Sequence, residues 1–249
     1  MESGSLGLGM VLLYALLPSL GNLIGVGLAE WRQPPGWLTG AAMHAAAGIG
    51  TAVAATELLP PAQDTIATHL LALSMVAGAL ASVGLAGLTK RLNRRLSGGV
   101  GRVSTWGAYA AIGIDLFTDG LMTGSGAAIS AGLGLLLALS QVLGNIPGGF
   151  AIAANFRSAE VTRRRRLSAM AAYPVLPVFG ALIGYLVLQG ASEMVTGLVL
   201  ALFAGLLLTA TIEDIVPEAD EPGAPRRISS PAFASGFVAL LLMSAYLGE

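Results

Sequence analysis

Eight long apolar stretches dominate the sequence and restrict what the chain can fold into. Each approaches the roughly 20 residues that an α-helix needs to cross a hydrocarbon core about 30 Å thick. The stretches are 6–29, 37–60, 65–88, 106–129, 131–155, 167–188, 194–216 and 232–247. The chain of 249 residues is 55% hydrophobic and only 11% charged, which leaves little sequence for a soluble module. We therefore predict an all-α integral membrane protein with eight transmembrane helices in one domain, residues 1–249.

The basic residues are confined to alternate connections between these stretches. All 13 lysines and arginines follow the first, third, fifth or seventh stretch. Because positive residues mark the cytoplasmic side, we predict a cell-membrane protein with both termini outside the cytoplasm. Residues 1–5 contain no basic residue, so the first stretch is interpreted as a retained span and not as a signal peptide. The arginines at 163–166 are interpreted as a topology anchor rather than a lipid-binding or nucleic-acid patch, and no nucleic-acid partner is expected.

Glycine is abundant in the chain and cysteine is absent. The 34 glycines predict close helix contacts, because small residues let backbones approach where lipid removes the hydrophobic effect between helices. The absence of cysteine excludes disulfides, thiolate metal sites and cysteine nucleophiles.

Two segments far apart in the chain resemble each other. GIGTAVAATELLPPA at 48–62 aligns without gaps with GLLLTATIEDIVPEA at 205–219, and the alignment pairs Glu57 with Asp214. The two copies lie on helices of opposite direction, and inverted repeats of this kind are typical of alternating-access transporters. We therefore predict a 3+2+3 arrangement in which helices 1–3 and 6–8 are inverted repeats, with helices 4 and 5 inserted between them.

The paired acids of this repeat lie near opposite membrane faces. Glu57 is expected near the outer face and Asp214 near the inner face, where they would act as gate or vestibule charges on a transport path. The alternative for each is a carboxylate at a helix end that simply reaches water.

Two aspartates lie one helical turn apart in the fourth stretch. A carboxylate in mid-bilayer costs about 2.5–3.5 kcal/mol on insertion scales, so it is retained only where something compensates it. Asp115 and Asp119 share one face of their helix, and Gln141 and Asn145 share one face of the next. Since almost no loop separates these two antiparallel helices, we expect the four side chains to converge near the midplane.

This polar cluster has a ligand-binding and a purely structural interpretation. Two close carboxylates in a dry site share a proton or hold a cation, and Pro147 frees the carbonyl of Leu143, which adds an oxygen that hard cations prefer. Alternatively, hydroxyls satisfy the aspartates, and Gln141 and Asn145 only join the helices. The nearby hydroxyls are those of Thr118, Thr123 and Ser140. The histidines, His44 and His69, are interpreted as a buried core residue and an interfacial residue.

Five segments of the chain resemble motifs of the ZIP family of divalent metal transporters. Helix 4, DLFTDGLMTGSGA, is similar to the family's HNFTDG motif, and helix 5, GNIPGGFAIA, is similar to its (H/Q)-(N/D)-I-P-E-G motif. Helices 2 and 7, with TELLPPA and IEDIVPEA, and helix 6, with GALIGY, resemble further family segments in the family's order. The resemblance implies a multi-pass transporter with metal ligands on helices 4 and 5, no cofactor beyond the transported ion, and a homodimer.

The chain departs from these motifs at several ligand positions. Asp115 replaces the helix 4 histidine and Leu116 the neighbouring asparagine, whereas the acid is retained as Asp119. The helix 5 motif positions are Gly144, Asn145 and Gly148, with Gln141 one turn earlier as a substitute ligand. The acid expected in helix 6 is also missing. The resemblance therefore implies at most one site of hard oxygen ligands, which should be less selective for zinc and admit manganese, ferrous iron, magnesium or calcium more readily.

Three functional classes can be weighed on these residues. The leading hypothesis is a transporter that moves divalent ions of the zinc, iron and manganese class towards the cytoplasm. Its site residues would be Asp115 and Asp119 as ligands, Asn145 and Gln141 as auxiliary ligands, and Glu57 and Asp214 as entrance and exit charges. The alternative is a ZIP-like fold that binds a monovalent cation or proton, or a non-transporting regulator. An intramembrane aspartyl protease fits badly because its carboxylates come from separate helices, so we predict no enzymatic activity.

Overall fold

The computed structural model describes residues 7–31, 35–96, 105–221 and 223–247. These residues form eight long helices joined by short connections, which confirms the predicted all-α membrane fold. The helices are α1 (Leu8–Trp31), α2 (Gly36–Thr65), α3 (Thr68–Leu96), α4 (Thr105–Ile129), α5 (Ala131–Ser158), α6 (Arg163–Leu188), α7 (Glu193–Asp220) and α8 (Arg226–Leu247). A turn at 171–174 interrupts α6, and α2 and α7 each contain a short π-helical segment.

The helix that carries the two aspartates, α4, differs from the others in composition. Among the described residues, seven helices are long and apolar enough to cross a membrane, and α4 is not one of them although it has 25 residues. Asp115 and Asp119 lower its mean hydropathy. It packs against α1, α3, α5 and α6, so other helices surround it. By contrast, α3 and α8 have the smallest buried share of the spans and lie at the periphery.

The helices associate in four closely packed pairs, which are α1 with α5, α4 with α6, α2 with α8, and α3 with α7. Glycines line every pair, and a Cβ atom added at these glycines would overlap a backbone carbonyl of the partner helix. One such contact from each pair is Gly21 with Val142, Gly180 with Phe117, Gly48 with Phe233, and Gly205 with Met75. The close contacts that the glycine content predicts are therefore present.

The packing of α2 on α8 is repeated in the packing of α7 on α3. Gly48 and Gly205, which are equivalent in the aligned segments, contact carbonyls of α8 and α3 respectively. The reverse contacts correspond as well, since Gly236 of α8 meets the carbonyl of Ala45 and Gly78 of α3 meets that of Leu202. The packing thus supports a repeat that relates α2 to α7 and α3 to α8.

A further repeat, beyond the one predicted above, relates α1 to α6. LPSLGNLIG at 17–25 and LPVFGALIG at 176–184 have six identical residues in nine. Gly25 contacts a carbonyl of α5, whereas the equivalent Gly184 contacts a carbonyl of α4. The relation that exchanges α1 and α6 therefore also exchanges α4 and α5, so these two helices are part of the symmetry and not merely inserted within it.

The π-helical segments occupy equivalent positions in α2 and α7. They are Val53–Leu58 and Thr211–Ile215, and each ends two residues before a proline. Proline has no N–H and its ring clashes with the carbonyl four residues earlier, so regular hydrogen bonding cannot continue through the preceding turn. The widened turns carry Glu57 and Asp214, and π turns of this kind are frequent at functional sites.

Candidate functional site

Polar side chains of α4 and α5 meet inside the helix bundle. Ser130 is the single non-helical residue between the two helices, and its hydroxyl caps α5 by accepting the Leu133 N–H at 3.1 Å. Because α5 folds back directly on α4, Asn145 Nδ2 donates to Asp119 Oδ2 at 2.6 Å. Gln141 Nε2 donates to the backbone carbonyl of Asp119 at 3.2 Å. Three of the residues singled out from the sequence are therefore in direct contact.

Gln141 holds α4 and α5 together through both ends of its amide. Its Oε1 accepts the Thr123 hydroxyl at 2.8 Å, while its Nε2 is used by the Asp119 carbonyl. The oxygen that would coordinate an ion is therefore already engaged. Asn145 differs, because its Nδ2 binds Asp119 and its Oδ1 has no donor among the described residues. Asn145 can thus offer an oxygen to an ion without losing its contact with α4.

The hydroxyl groups near the aspartates are hydrogen-bonded elsewhere. Thr118 and Ser140 donate to backbone carbonyls of their own helices at 3.0 and 2.7 Å, and Thr123 donates to Gln141. Within the described ranges, neither aspartate receives a hydroxyl donor. The alternative in which buried hydroxyls satisfy both carboxylates therefore does not describe this conformation.

Both aspartates line a cavity of about 410 Å³ between α2, α3, α4, α5 and α7. Asp115 is exposed in this cavity, and no described side chain donates a hydrogen bond to it. Asp214, Glu218 and Lys90 line the same cavity and are also exposed. The cavity therefore carries four carboxyl groups and one ammonium group, a balance that favours a cationic guest.

The two ends of the cavity differ in polarity. Lys90 and Glu218 lie near the ends of α3 and α7, towards the connections that carry the basic residues, which we call the basic side. The opposite end is formed by Val53, Met122 and Leu137, which belong to the apolar core. The aspartates are thus accessible from the basic side, while packed apolar side chains close the other direction.

Glu57 is the one predicted site residue that does not line this cavity. Its half-buried side chain accepts the Thr56 hydroxyl at 2.9 Å on the π segment of α2. The structure brings together the other five, which are Asp115, Asp119, Gln141, Asn145 and Asp214. The role of Glu57 as an entrance charge stays a prediction.

Neither histidine lines the cavity. His44 is buried, with Nδ1 2.8 Å from the Gly40 carbonyl and Nε2 3.3 Å from Asp220 Oδ1, so it joins α2 to the end of α7. His69 is exposed near the start of α3. In the part of the chain that the structure describes, no three or more His, Cys, Asp or Glu residues are grouped so that they could hold a metal ion. An ion beside Asp115 and Asp119 would have those two carboxylates as its charged ligands.

Gly144 and Gly148 line the cavity at the α5 positions where the similar family motif carries ligands. A Cβ atom on Gly144 would meet nothing within 4 Å, and one on Gly148 would meet only Asn22 Nδ2, at 4.0 Å. Asn22 is completely buried, and neither polar atom of its amide has a partner among the described residues. The cavity therefore has space at the position of a missing ligand, and an unpaired buried amide lies behind Gly148.

Two residues that line the cavity are missed by the sequence analysis. Glu218 lies four residues after Asp214, so their shared helix face is a signal that could have identified it. Lys90 is grouped with the basic residues that set topology, and its place beside Asp214 depends on the long-range packing of α3 on α7. No local pattern indicates that position.

A family model described as "ZIP Zinc transporter" matches residues 89–244 of the chain. The match covers more than half of the chain and contains α4 to α7 and most of α8, with the five predicted residues that line the cavity. Glu57 precedes it. No curated protein sequence matches the chain.

Proposed function

Because the chain belongs to the ZIP family of zinc and other divalent metal transporters, we propose that it moves divalent cations towards the cytoplasm through one midplane site. ZIP proteins are multi-pass membrane transporters and not enzymes, and the seven apolar spans agree with that class. The observation that carries the proposal is the pair Asp115 and Asp119 at the closed end of an acidic cavity. The transported ion is the only bound group that the proposal requires.

The site supplies oxygen ligands on two helices. Asp115 is exposed in the cavity, Asp119 has one oxygen held by Asn145, and Asn145 has its own Oδ1 available. A dication placed there would compensate both carboxylates, which are costly to keep inside a membrane. Gln141, which is engaged with Thr123, positions α4 against α5 in this proposal and is not a direct ligand.

The ligand chemistry favours hard ions. Carboxylate and amide oxygens suit Mn²⁺, Mg²⁺ and Ca²⁺, whereas imidazole and thiolate ligands favour Zn²⁺. Histidine is absent from the residues that line the cavity. We therefore propose that manganese and ferrous iron compete well with zinc for this site.

The exit path runs through Asp214 and Glu218. These exposed acids lie on the basic side of the cavity, near the end of α7. They can hold an ion that leaves the aspartates, while Lys90 repels it and prevents tight retention. In an outward-open state the apolar end formed by Val53, Met122 and Leu137 would have to separate, and Glu57 would provide the entrance charge.

Metal uptake by proteoliposomes tests the proposal. The purified full chain is reconstituted, and uptake of Mn²⁺, Fe²⁺, Zn²⁺ and Cd²⁺ is measured for the wild type and for D115N/D119N. The control is D64N, which removes an exposed carboxylate that does not line the cavity. We expect the double variant to lose uptake and the control to retain it. Full uptake by the double variant would refute the site.

A second candidate keeps the fold and changes the guest. The closed end of the cavity carries only two carboxylates, and the described residues contain no group of three or more metal ligands. Such a site could instead serve a proton or a monovalent cation, or a protein that regulates without transport. Calorimetry in detergent discriminates, because the second candidate predicts no heat of binding for any of the four dications. The homodimer and the outside location of both termini stay predictions.

A further inference from the structure

A groove separates α1 from α6 on the basic side of the bundle. It has a volume of about 610 Å³, and apolar side chains form most of it. Leu23, Val26 and Trp31 line it from α1, and Leu167, Met170 and Pro174 line it from α6. The α6 helix is interrupted at 171–174, where the groove begins, and Gly27 contributes no side chain. An apolar groove between two helices that are apolar enough to cross a membrane is a place for hydrocarbon and not for water.

Basic side chains stand at the end of this groove. Four consecutive arginines begin α6, and two of them make close contacts within the protein. Arg166 pairs with Glu30 at 2.6 Å and also binds the Val161 carbonyl, while Arg165 lies over the ring of Trp106 at 5.1 Å. The other two, Arg163 and Arg164, are exposed. The only ion pair of Arg163 within the described residues is a loose one, with its Nε 3.7 Å from Glu30.

The start of α6 offers further donors to an anion. Thr162 precedes the helix without capping it through its side chain, and the first turn contains no acid. The first N–H groups of a helix lack intrahelical acceptors, and the helix dipole places partial positive charge there. Phosphate groups therefore bind well at such positions. Here the uncapped turn coincides with an adjacent apolar groove, with Arg163, whose ion pair to Glu30 is long, and with the exposed Arg164.

The excess of positive charge near the groove favours a ligand with net negative charge. Counted over the described residues near the groove, five arginines, at 157 and 163–166, stand against two acids, Glu30 and Glu160, which leaves an excess of three positive charges. A zwitterionic headgroup leaves that excess uncompensated, whereas a headgroup with net negative charge neutralises part of it. The ligand must also carry a hydrocarbon chain for the groove. Both requirements are met by an anionic phospholipid of the leaflet on the basic side.

We propose that one anionic phospholipid binds between α1 and α6, with its phosphate at Arg163 and Arg164 and an acyl chain in the groove. The lipid links the end of α1 to the start of α6, two helices that pack against the aspartate-bearing α4. Arginines that set topology can serve this second role, because both require the leaflet with anionic lipid. The proposal does not depend on which ion the cavity accepts.

Native mass spectrometry of the full chain in an equimolar mixture of phosphatidylglycerol and phosphatidylcholine tests the proposal. The variant R163Q/R164Q removes the headgroup contacts, and G27L fills the groove without changing charge. The matched control is R226Q/R227Q, which removes two exposed arginines from the start of α8 on the same side. Each arginine near anionic lipid is worth about 1 kcal/mol, so the double loss should weaken phosphatidylglycerol binding about 30-fold.

We expect retained phosphatidylglycerol to decrease in R163Q/R164Q and in G27L, and to remain at the wild-type level in R226Q/R227Q. A thermal unfolding curve for each variant establishes that it is folded. Equal losses in the two arginine variants would mean a diffuse surface charge and would overturn the proposal. Equal retention of phosphatidylcholine by the wild type, or unchanged binding in G27L, would overturn it as well.

Discussion

Replacing Gly148 by glutamate should tighten the binding of divalent ions in the cavity. Gly148 follows Asn145 by three residues on α5 and lines the same cavity. A Cβ atom there would meet only Asn22 Nδ2, at 4.0 Å, so the first side-chain atom displaces no backbone. The unpaired amide of Asn22 can donate a hydrogen bond to the new carboxylate, so a buried polar group that lacks a partner gains one.

Coulomb's law sets the size of this effect for a carboxylate about 4 Å from the ion. Two unit charges 4 Å apart gain about 4 kcal/mol at an effective dielectric constant of about 20. A dication gains more, whereas repulsion from Asp115 and Asp119 and desolvation of the third carboxylate oppose the gain. If about half of the unit-charge value survives, binding tightens by about 2 kcal/mol, or about 30-fold.

Isothermal titration of the purified protein with Mn²⁺ and Zn²⁺ measures this change. Gly148→Gln is the matched control, because it has the same length and the same effect on the helix backbone but adds no charge. We expect the glutamate variant to bind both ions more tightly and the glutamine variant to bind like the wild type. An equal gain in both variants, or no gain with glutamate, would refute the placement of the ion beside α5.

Three further changes probe the cavity and its surroundings. Asn145→Ala removes the 2.6 Å hydrogen bond to Asp119 and should cost about 1.5–3 kcal/mol of unfolding free energy, measured by denaturation in detergent. Lys90→Gln removes the positive charge of the cavity and should tighten Mn²⁺ binding at low ionic strength. The gain should be smaller at about 1 M salt, where charges are screened. A gain that does not depend on salt would contradict the electrostatic cause. Glu30→Gln breaks the largely buried pair with Arg166 and should lower the unfolding free energy by about 3 kcal/mol, whereas the exposed Glu193→Gln should leave it nearly unchanged.

The contact between α4 and α5 is predictable from sequence because it depends on local spacing. The two aspartates share a helix face, and one residue, Ser130, connects the helices, so Asp119 and Asn145 had to come close. The rest of the cavity is built by helices far apart in the chain. Ser74 on α3, for example, donates to the carbonyl of Leu198 on α7, 124 residues away. No local period encodes such a pairing, which is why Lys90 could not be assigned to the site.

The repeat that relates α1 to α6 also shows that the carboxylates of the site are distributed unequally between α4 and α5. Gly124 of α4 contacts Ala181 of α6, and Gly149 of α5 makes the equivalent contact with Asn22 of α1. In the same register, Gly144 of α5 is the residue equivalent to Asp119 of α4. Asp115 corresponds to Ser140 in this register, so the carboxylates are confined to α4, and α5 carries a serine and a glycine at the two corresponding positions.

Packing prevents a side chain at Gly120 of α4 but allows one at Gly144 of α5. In the same register Asn145 corresponds to Gly120, where a Cβ atom would overlap the Pro177 carbonyl, whereas a Cβ atom on Gly144 would meet nothing within 4 Å. Gly120→Asn should therefore force α4 away from α6 and cost at least 1–3 kcal/mol of unfolding free energy. Gly144→Asp should fold like the wild type and add a third carboxylate to the cavity. Thermal unfolding of the two variants side by side measures the difference, and equal destabilisation would show that the α4–α6 contact does not dictate where this site can carry charge.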